Sequence, residues 1–288
     1  MSLLPDQSRP KKPSNPSELA GFQHKKSLGQ NFLRHEIVTE WMVTAADVTA
    51  SDTVLEIGPG EGALTNKLLE TGARVIALET DRRLIPGLSD RFTTEIARGQ
   101  LTLVVGDARE LDPSSLGLVS GRYKVVASIP YYLTSFLLRR LLENTQQPQT
   151  LVFLLQKEVV KRITAPSKES LLSLSVKAFG VPKYVRTVGR GHFQPPPKVD
   201  SAILAVTDIS LKNFSHPVEI THFFELLHLG FGQKRKQLLS ILSKQYSRDD
   251  LLGIFFELKL APNIRAEDVT LETWLQLNRE LSTRRSNL

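Results

Sequence analysis

The sequence predicts a doubly wound, mostly parallel α/β sheet followed by a small all-helical segment. Short apolar runs rich in Val, Ile and Leu recur between helical patterns from residue 53 to residue 155. Runs that are apolar without alternation suit strands buried on both faces, as in a parallel sheet covered by helices. A glycine-rich turn, Gly58-Pro-Gly-Glu-Gly62, joins the first of these runs to a helical pattern. From about residue 211 the apolar spacing shifts to three and four residues, the period of helices that bury one face.

The elements follow in order. A chain of 288 residues has length for one large domain and a smaller one. Residues 1–26, rich in Pro, Ser and Lys, read as a basic arm, 27–210 as the sheet domain and 211–288 as a helical domain. Thr53–Ile57 reads as the first strand and Ala63–Thr71 as a helix closed by Gly72. Arg74–Leu78, Leu101–Val105, Tyr123–Ala127 and Leu151–Leu155 read as further strands, with a helix over Thr134–Asn144 before the last. Leu172–Phe179 and Ser201–Val206, flanking Gln194-Pro-Pro-Pro197, read as late strands joined by a rigid loop. Helical spacing at Phe223, Phe224 and Leu227, at Leu238 and Leu242, and at Leu251, Leu252 and Phe255 fills the C-terminal segment.

Composition excludes whole classes of function. The chain has no cysteine, hence no disulfide, no thiolate zinc site and no cysteine nucleophile. Methylation at pyrimidine C5 by the thiolate route is excluded with them. The six histidines are scattered and none falls in a zinc-binding spacing, so no metal is expected. No apolar run approaches the roughly 18 residues of a membrane helix, and the first residues lack a signal-peptide core. A cytoplasmic protein without membrane contact is expected. The net charge of +7 is uneven: residues 157–200 carry 9 Lys or Arg against 3 Asp or Glu, and Lys234-Arg235-Lys236 stand together. Such clusters are often only solvated faces, but here they point to a polyanionic partner.

Leu55-Glu-Ile-Gly-Pro-Gly-Glu-Gly62 is the first chemical motif. Glycines at a strand-to-helix turn let a ligand approach the backbone closely. Glu79 ends the second strand 21 residues after Gly58, about where an acid grips the hydroxyl pair of a ribose. The turn reads G-x-G-x-G, with no nicotinamide-specific feature and no G-x-x-x-x-G-K-[ST] phosphate loop. A nucleoside cofactor is therefore expected without its kind being given. Asp107, at the end of the third strand, is placed either to accept from an adenine amine or simply to cap a turn. Ala127-Ser-Ile-Pro-Tyr-Tyr-Leu133 ends another strand. The plain reading is a turn over packed aromatics, since proline cannot continue a strand ladder.

Taken together, five stretches resemble the ribosomal RNA adenine N6,N6-dimethyltransferases. They are Lys26-Ser-Leu-Gly-Gln-Asn-Phe-Leu33, Leu55 to Thr65, Val105-Gly-Asp-Ala108, Ser128-Ile-Pro-Tyr131 and Phe193-Gln-Pro-Pro-Pro-Lys-Val-Asp-Ser201. The resemblance runs from about residue 25 to 242, and its order and spacing are highly specific. It is strongest toward the bacterial small-subunit (16S) enzymes, which dimethylate two adjacent adenosines in a loop near the RNA's 3′ end. The erythromycin-resistance methyltransferases of large-subunit rRNA share many of these motifs. The resemblance implies a Rossmann-like methyltransferase fold, S-adenosyl-L-methionine as cofactor and the immature small ribosomal subunit as partner, with the protein acting as a monomer.

It also implies the site. Gln30, Asn31 and Leu33 would form an N-terminal latch. Gly58 and Gly60 would pass the methionyl part of the cofactor, Glu79 would take its ribose, and Asp107 with Ala108 its adenine. Ser128 and the Ile129 carbonyl would accept from the target amine, with Pro130 fixing that carbonyl. Tyr131 and Phe193 would hold the two faces of a splayed-out base. The stretch Gly232 to Leu238, with Lys234, Arg235 and Lys236, matches the family's RNA-facing helix. The family usually has asparagine where this chain has Ser128. A hydroxyl can still accept, but it is shorter. That departure keeps a non-catalytic ribosome-assembly factor in view, alongside the large-subunit enzyme and a DNA adenine methyltransferase.

Overall fold

The computed structural model describes residues 32–285 apart from Lys234. Its central sheet is built from β2 (Thr53–Ile57), β3 (Arg74–Glu79), β4 (Leu101–Val105), β5 (Lys124–Ser128), β6 (Thr150–Gln156), β7 (Val181–Val188) and β9 (Ser201–Thr207). The strand order is β4-β3-β2-β5-β6-β9-β7. The run from β4 to β6 is parallel, while β9 is antiparallel to both β6 and β7. A separate short ladder pairs β1 (Phe32–Leu33) with β8 (Phe193–Gln194).

The parallel strands form because their side chains are apolar on both faces. Leu55, Ile57, Val125, Ala127 and Phe153 enter one core, packed under α5 (Thr134–Leu142). Val54, Val126, Val152 and Leu154 enter the other, under α1 (Glu36–Ala45) and α2 (Ala63–Glu70). Each large side chain so buried contributes about 1.5–3 kcal/mol relative to exposure. Chain order reverses direction between β2 and β5. In such sheets the crevice at that reversal, beyond the carboxyl ends of the strands, is where ligands bind.

One expected strand is a helix. The segment read as Leu172–Phe179 instead lies mostly in α7 (Leu171–Lys177). Ser170 accepts from the Ser173 N–H at 3.1 Å, and Ser173 Oγ accepts from the Ser170 N–H at 2.7 Å. This reciprocal capping box nucleates a helix that buries Leu174 and Val176. The strand that the reading missed is β7, at the edge of the sheet, where half-exposure, Pro182 and Lys183 blur any apolar pattern.

Beyond β9 come α8 (Pro217–Phe231), α9 (Leu238–Leu242), α10 (Arg248–Glu257) and α11 (Leu271–Arg285). The proposed division at residue 210 falls in the loop before α8. Trp274 of α11 is fully buried, and a Cβ on Gly230 of α8 would come within 2.5 Å of its ring. The lack of a side chain at Gly230 is what lets the two helices approach. No described helix is long and apolar enough to cross a membrane.

Candidate active site

Four adjacent strand ends meet around one cleft of about 180 Å³. β2 delivers Gly58 and Gly60, β3 delivers Glu79, β4 delivers Asp107 and Ala108, and β5 delivers Ser128 followed by Ile129, Pro130 and Tyr131. Leu33 and Phe193 close it from the β1–β8 ladder. All the expected site residues that are described around the cofactor and the base are therefore brought together. Gln30, Asn31 and Lys234 lie outside the described residues.

The glycine turn is held in left-handed backbone, with φ of +72° at Gly58 and +59° at Gly60, a conformation glycine adopts freely. Gly60 has a second reason to lack a side chain, since a Cβ there would come within 2.8 Å of the Phe32 ring. Phe32 thus lies directly on the turn. Beside it, the Arg34 N–H donates to the His192 carbonyl at 2.9 Å, and His35 and His192 share a hydrogen bond between their Nδ1 atoms at 2.8 Å. With the Leu33–Phe193 pairing, these contacts tie the chain at Leu33–His35 to the Phe193 segment.

Glu79 is only 6% exposed. Its Oε2 accepts from the Gly60 N–H at 3.1 Å and its Oε1 from the Asp81 N–H at 2.8 Å. Burial raises its pKa, an effect opposed by hydrogen bonds from the Asp81, Gly60 and Thr80 backbone. Three backbone donors on about four lone-pair sites leave room for a further donor, which suits a ribose hydroxyl. Asp107 does both of the things its position allowed. It caps the short 3-10 turn Ala108–Glu110, and its carboxylate lines the cleft. Arg109 grips it, with Nη2 2.6 Å from Oδ2 and Nε at 3.1 and 3.0 Å from the two oxygens. This hydrogen bonding holds the Asp107 pKa below its ordinary value. An adenine amine can use Asp107 only if Arg109 gives way.

Beneath the glycine turn lies a group the sequence reading passed over. Glu56 is wholly buried, and its Oε2 accepts from Thr65 Oγ1 of α2 at 2.7 Å. Its Oε1 has no hydrogen-bond partner among the described residues. Burial, opposed by the Thr65 bond and reinforced by the charge of Glu79, pushes its pKa up to about 8. Glu56 is protonated at neutral pH and ties strand to helix across the turn. The motif Leu55 to Thr65 contains both partners, so the pairing was within reach of the sequence.

At the β5 end, Tyr131 is half-buried and its hydroxyl shares a 2.8 Å hydrogen bond with Ser201 Oγ. Ser201 is fully buried and fixes the ring's direction. Burial raises the Tyr131 pKa despite that bond, so the phenol stays neutral. Ser201 closes the last of the five motifs but had been given no role. Ser128 is half-buried in the cleft wall, and Phe193, 5% exposed, belongs to the same lining. No group of three or more metal-binding side chains occurs among the described residues.

The basic stretch differs from expectation. α8 ends at Phe231, and Arg235 and Lys236 lie outside any helix, exposed in the turn before α9. The Leu238 N–H reaches the Ile264 carbonyl at 2.8 Å, and α9 then buries Leu238, Leu239, Ile241 and Leu242. Burying that apolar set takes a change of direction, and the basic turn supplies it.

Comparison with known proteins gives the family. A family described as ribosomal RNA adenine dimethylase matches residues 21–283. The ribosomal RNA small subunit methyltransferase A of Dehalococcoides mccartyi strain CBDB1 is 38% identical over 256 residues, covering 88% of this chain and 87% of that protein. A dimethyladenosine transferase from Plasmodium falciparum superposes with a TM-score of 0.75 at 26% identity, covering 88% of this chain and 98% of the other. The 23S rRNA methyltransferase ErmE superposes with a TM-score of 0.69 at 25% identity, covering 88% and 100%. On the extent of these matches and the motifs that line its cleft, the chain belongs to the ribosomal RNA adenine dimethylase family.

Proposed function

We propose that the protein transfers methyl groups from S-adenosyl-L-methionine to the N6 amines of two adjacent adenosines near the 3′ end of small-subunit (16S) rRNA. The product is N6,N6-dimethyladenosine, formed in the cytoplasm during maturation of the small subunit. The observation that carries this reading is the convergence of Ser128-Ile-Pro-Tyr131, the glycine turn and Phe193 on one cleft. The likeness to the small-subunit methyltransferase A of Dehalococcoides mccartyi favours the small subunit over the large.

The cleft suits the cofactor on its own geometry. The bare backbone at Gly58 and Gly60, a buried carboxyl with a spare lone pair at Glu79 and a second acid at Asp107 follow one another along the strand ends. Gly58 and Gly60 would take the methionyl end, Glu79 the ribose, and Asp107 and Ala108 the adenine, under a latch of Gln30, Asn31 and Leu33. When bound, the cofactor supplies an electrophilic methyl group.

The chain's own residues aim the nucleophile. An adenine N6 is weakly nucleophilic because its lone pair is delocalised into the ring. Hydrogen bonds from the amine to Ser128 Oγ and to the Ile129 carbonyl hold it pyramidal. Tyr131, its hydroxyl anchored by Ser201, supplies one stacking face and Phe193 the other. The alkylated amine is acidic enough to release its proton to solvent, so rate comes from alignment. The protein acts as a monomer, and Lys234, Arg235 and Lys236 contact RNA phosphate.

The test is single-turnover methyl transfer from labelled cofactor to undermethylated small subunits, with mono- and dimethyladenosine resolved by mass spectrometry. Dimethyladenosine should predominate in the wild type. Ser128→Ala should slow transfer about five- to a hundredfold, the loss of one hydrogen bond, and Ser128→Asn should stay active. Equal rates for wild type and Ser128→Ala would end the acceptor role. Label appearing in large-subunit rRNA would move the assignment to the activity named for ErmE, and binding without transfer would leave an assembly factor.

A further inference from the structure

We propose that Tyr132, Phe136 and the arginines beside them form a stacking subsite at the mouth of the cleft for the nucleobase next to the target adenosine. The inference rests on the reading above, that an RNA adenosine enters the cleft. Tyr131 and Tyr132 are consecutive but play opposite parts. Tyr131 is tethered inward to Ser201, whereas Tyr132 is 64% exposed and still lines the mouth of the same cleft.

Phe136 and Arg140 are four residues apart in α5, which puts them on one face, and Tyr132 lies in the 3-10 turn Tyr131–Leu133 that leads directly into that helix. Phe136 is 42% exposed. Arg140 Nε donates to the Leu111 carbonyl at 2.8 Å, so the segment after β4 runs along this face. That segment carries Arg109, whose side chain is 66% exposed and which lines the same cleft as Tyr132.

Single exposed aromatic residues are ordinary; the place of these two gives them a use. A base drawn out of its strand leaves its neighbour unstacked on one side. A ring at the rim replaces the lost partner, and any base can use it because every base has a π face. With two adjacent adenosines as target, that neighbour is the other substrate. The strip is not strongly cationic. Asp107 pairs with Arg109, Glu110 lies beside it, and Asp112 accepts from Ser114. Stacking, with guanidinium planes at its edges, therefore outweighs phosphate attraction here.

The experiment uses the full chain. A hairpin RNA with two adjacent loop adenosines carries 2-aminopurine in place of one, and its fluorescence reports stacking. Wild type and Tyr132→Phe should quench the probe. Tyr132→Ala should lose the quench and weaken binding about five- to a hundredfold. The slope of log affinity against log salt should not change, since no phosphate contact is lost. With undermethylated small subunits the same variant should raise KM while kcat and cofactor affinity stay near wild type. Phe136→Ala should reproduce the effect more weakly. Wild-type quenching and KM in Tyr132→Ala would overturn the subsite. A loss seen with assembled subunits but not with the hairpin would overturn it in favour of a ribosomal-protein contact. A wild type that binds no RNA and methylates none fails the underlying reading, and the subsite with it.

Discussion

Glu56→Gln tests whether the protein keeps a protonated carboxyl under its glycine turn. The native side chain titrates at about 8 against an ordinary 4.5. Between those values the folded chain holds a proton that the unfolded chain has released. Folded stability therefore falls as pH rises through this window, at about 1.4 kcal/mol per pH unit, and levels off above it. Across the whole window Glu56 removes on the order of 5 kcal/mol, and by pH 7 about 3 kcal/mol. Glutamine keeps an acceptor for Thr65 and cannot ionise, but it buries an amide whose donors lack partners, at about 1–3 kcal/mol. The variant should therefore match or fall below wild type near pH 5 and gain on it steadily toward pH 8.5. Glu79 shifts in the same direction from its own burial, so the difference between variant and wild type is diagnostic, not the wild-type curve alone. Urea unfolding at pH 5, 7 and 8.5 measures it. A difference that stays constant with pH would refute the reasoning.

Two further outcomes follow from the cleft. Glu79→Ala should weaken S-adenosyl-L-methionine binding by about 1–3 kcal/mol, because a ribose hydroxyl loses its acceptor. Calorimetry showing unchanged affinity would remove Glu79 from the site. Ser201→Ala frees the Tyr131 hydroxyl that it holds at 2.8 Å. Methyl transfer should slow about fivefold, on the order of one hydrogen bond, while cofactor affinity stays unchanged; an unaltered kcat would show that packing alone orients the ring.

Most of the sheet is legible because its logic is local. Thr53–Ile57 and Leu101–Val105 have in the structure the bounds read from the sequence, since short, mostly apolar, β-branched-rich runs between turns have few other uses. The acids at strand ends and the glycines between them are equally local. Where the reading failed, a weak local signal was settled by something else. The two serines of the α7 cap sit before an apolar run that suits either strand or helix, and the reciprocal hydrogen bonds decide. The edge strand β7 has too little burial to show a period.

The role of Ser201 was hidden for a topological reason. Strand existence can be read from a run of residues, but strand direction cannot. In a parallel array the first residue of a strand lies at the end of the sheet opposite the active site. β9 instead runs antiparallel to β6, pairing Ser201 with Gln156 and Val206 with Leu151. Its first residue therefore lies at the same edge as the last residues of β6, and of β5, which is parallel to β6. Only this reversal puts Ser201 within hydrogen-bond reach of Tyr131, 70 residues earlier in the chain. The antiparallel strand thus does more than extend the sheet. It carries a buried hydroxyl to the catalytic edge and, through β8 just before it, the Phe193 ring to the lining of the same cleft.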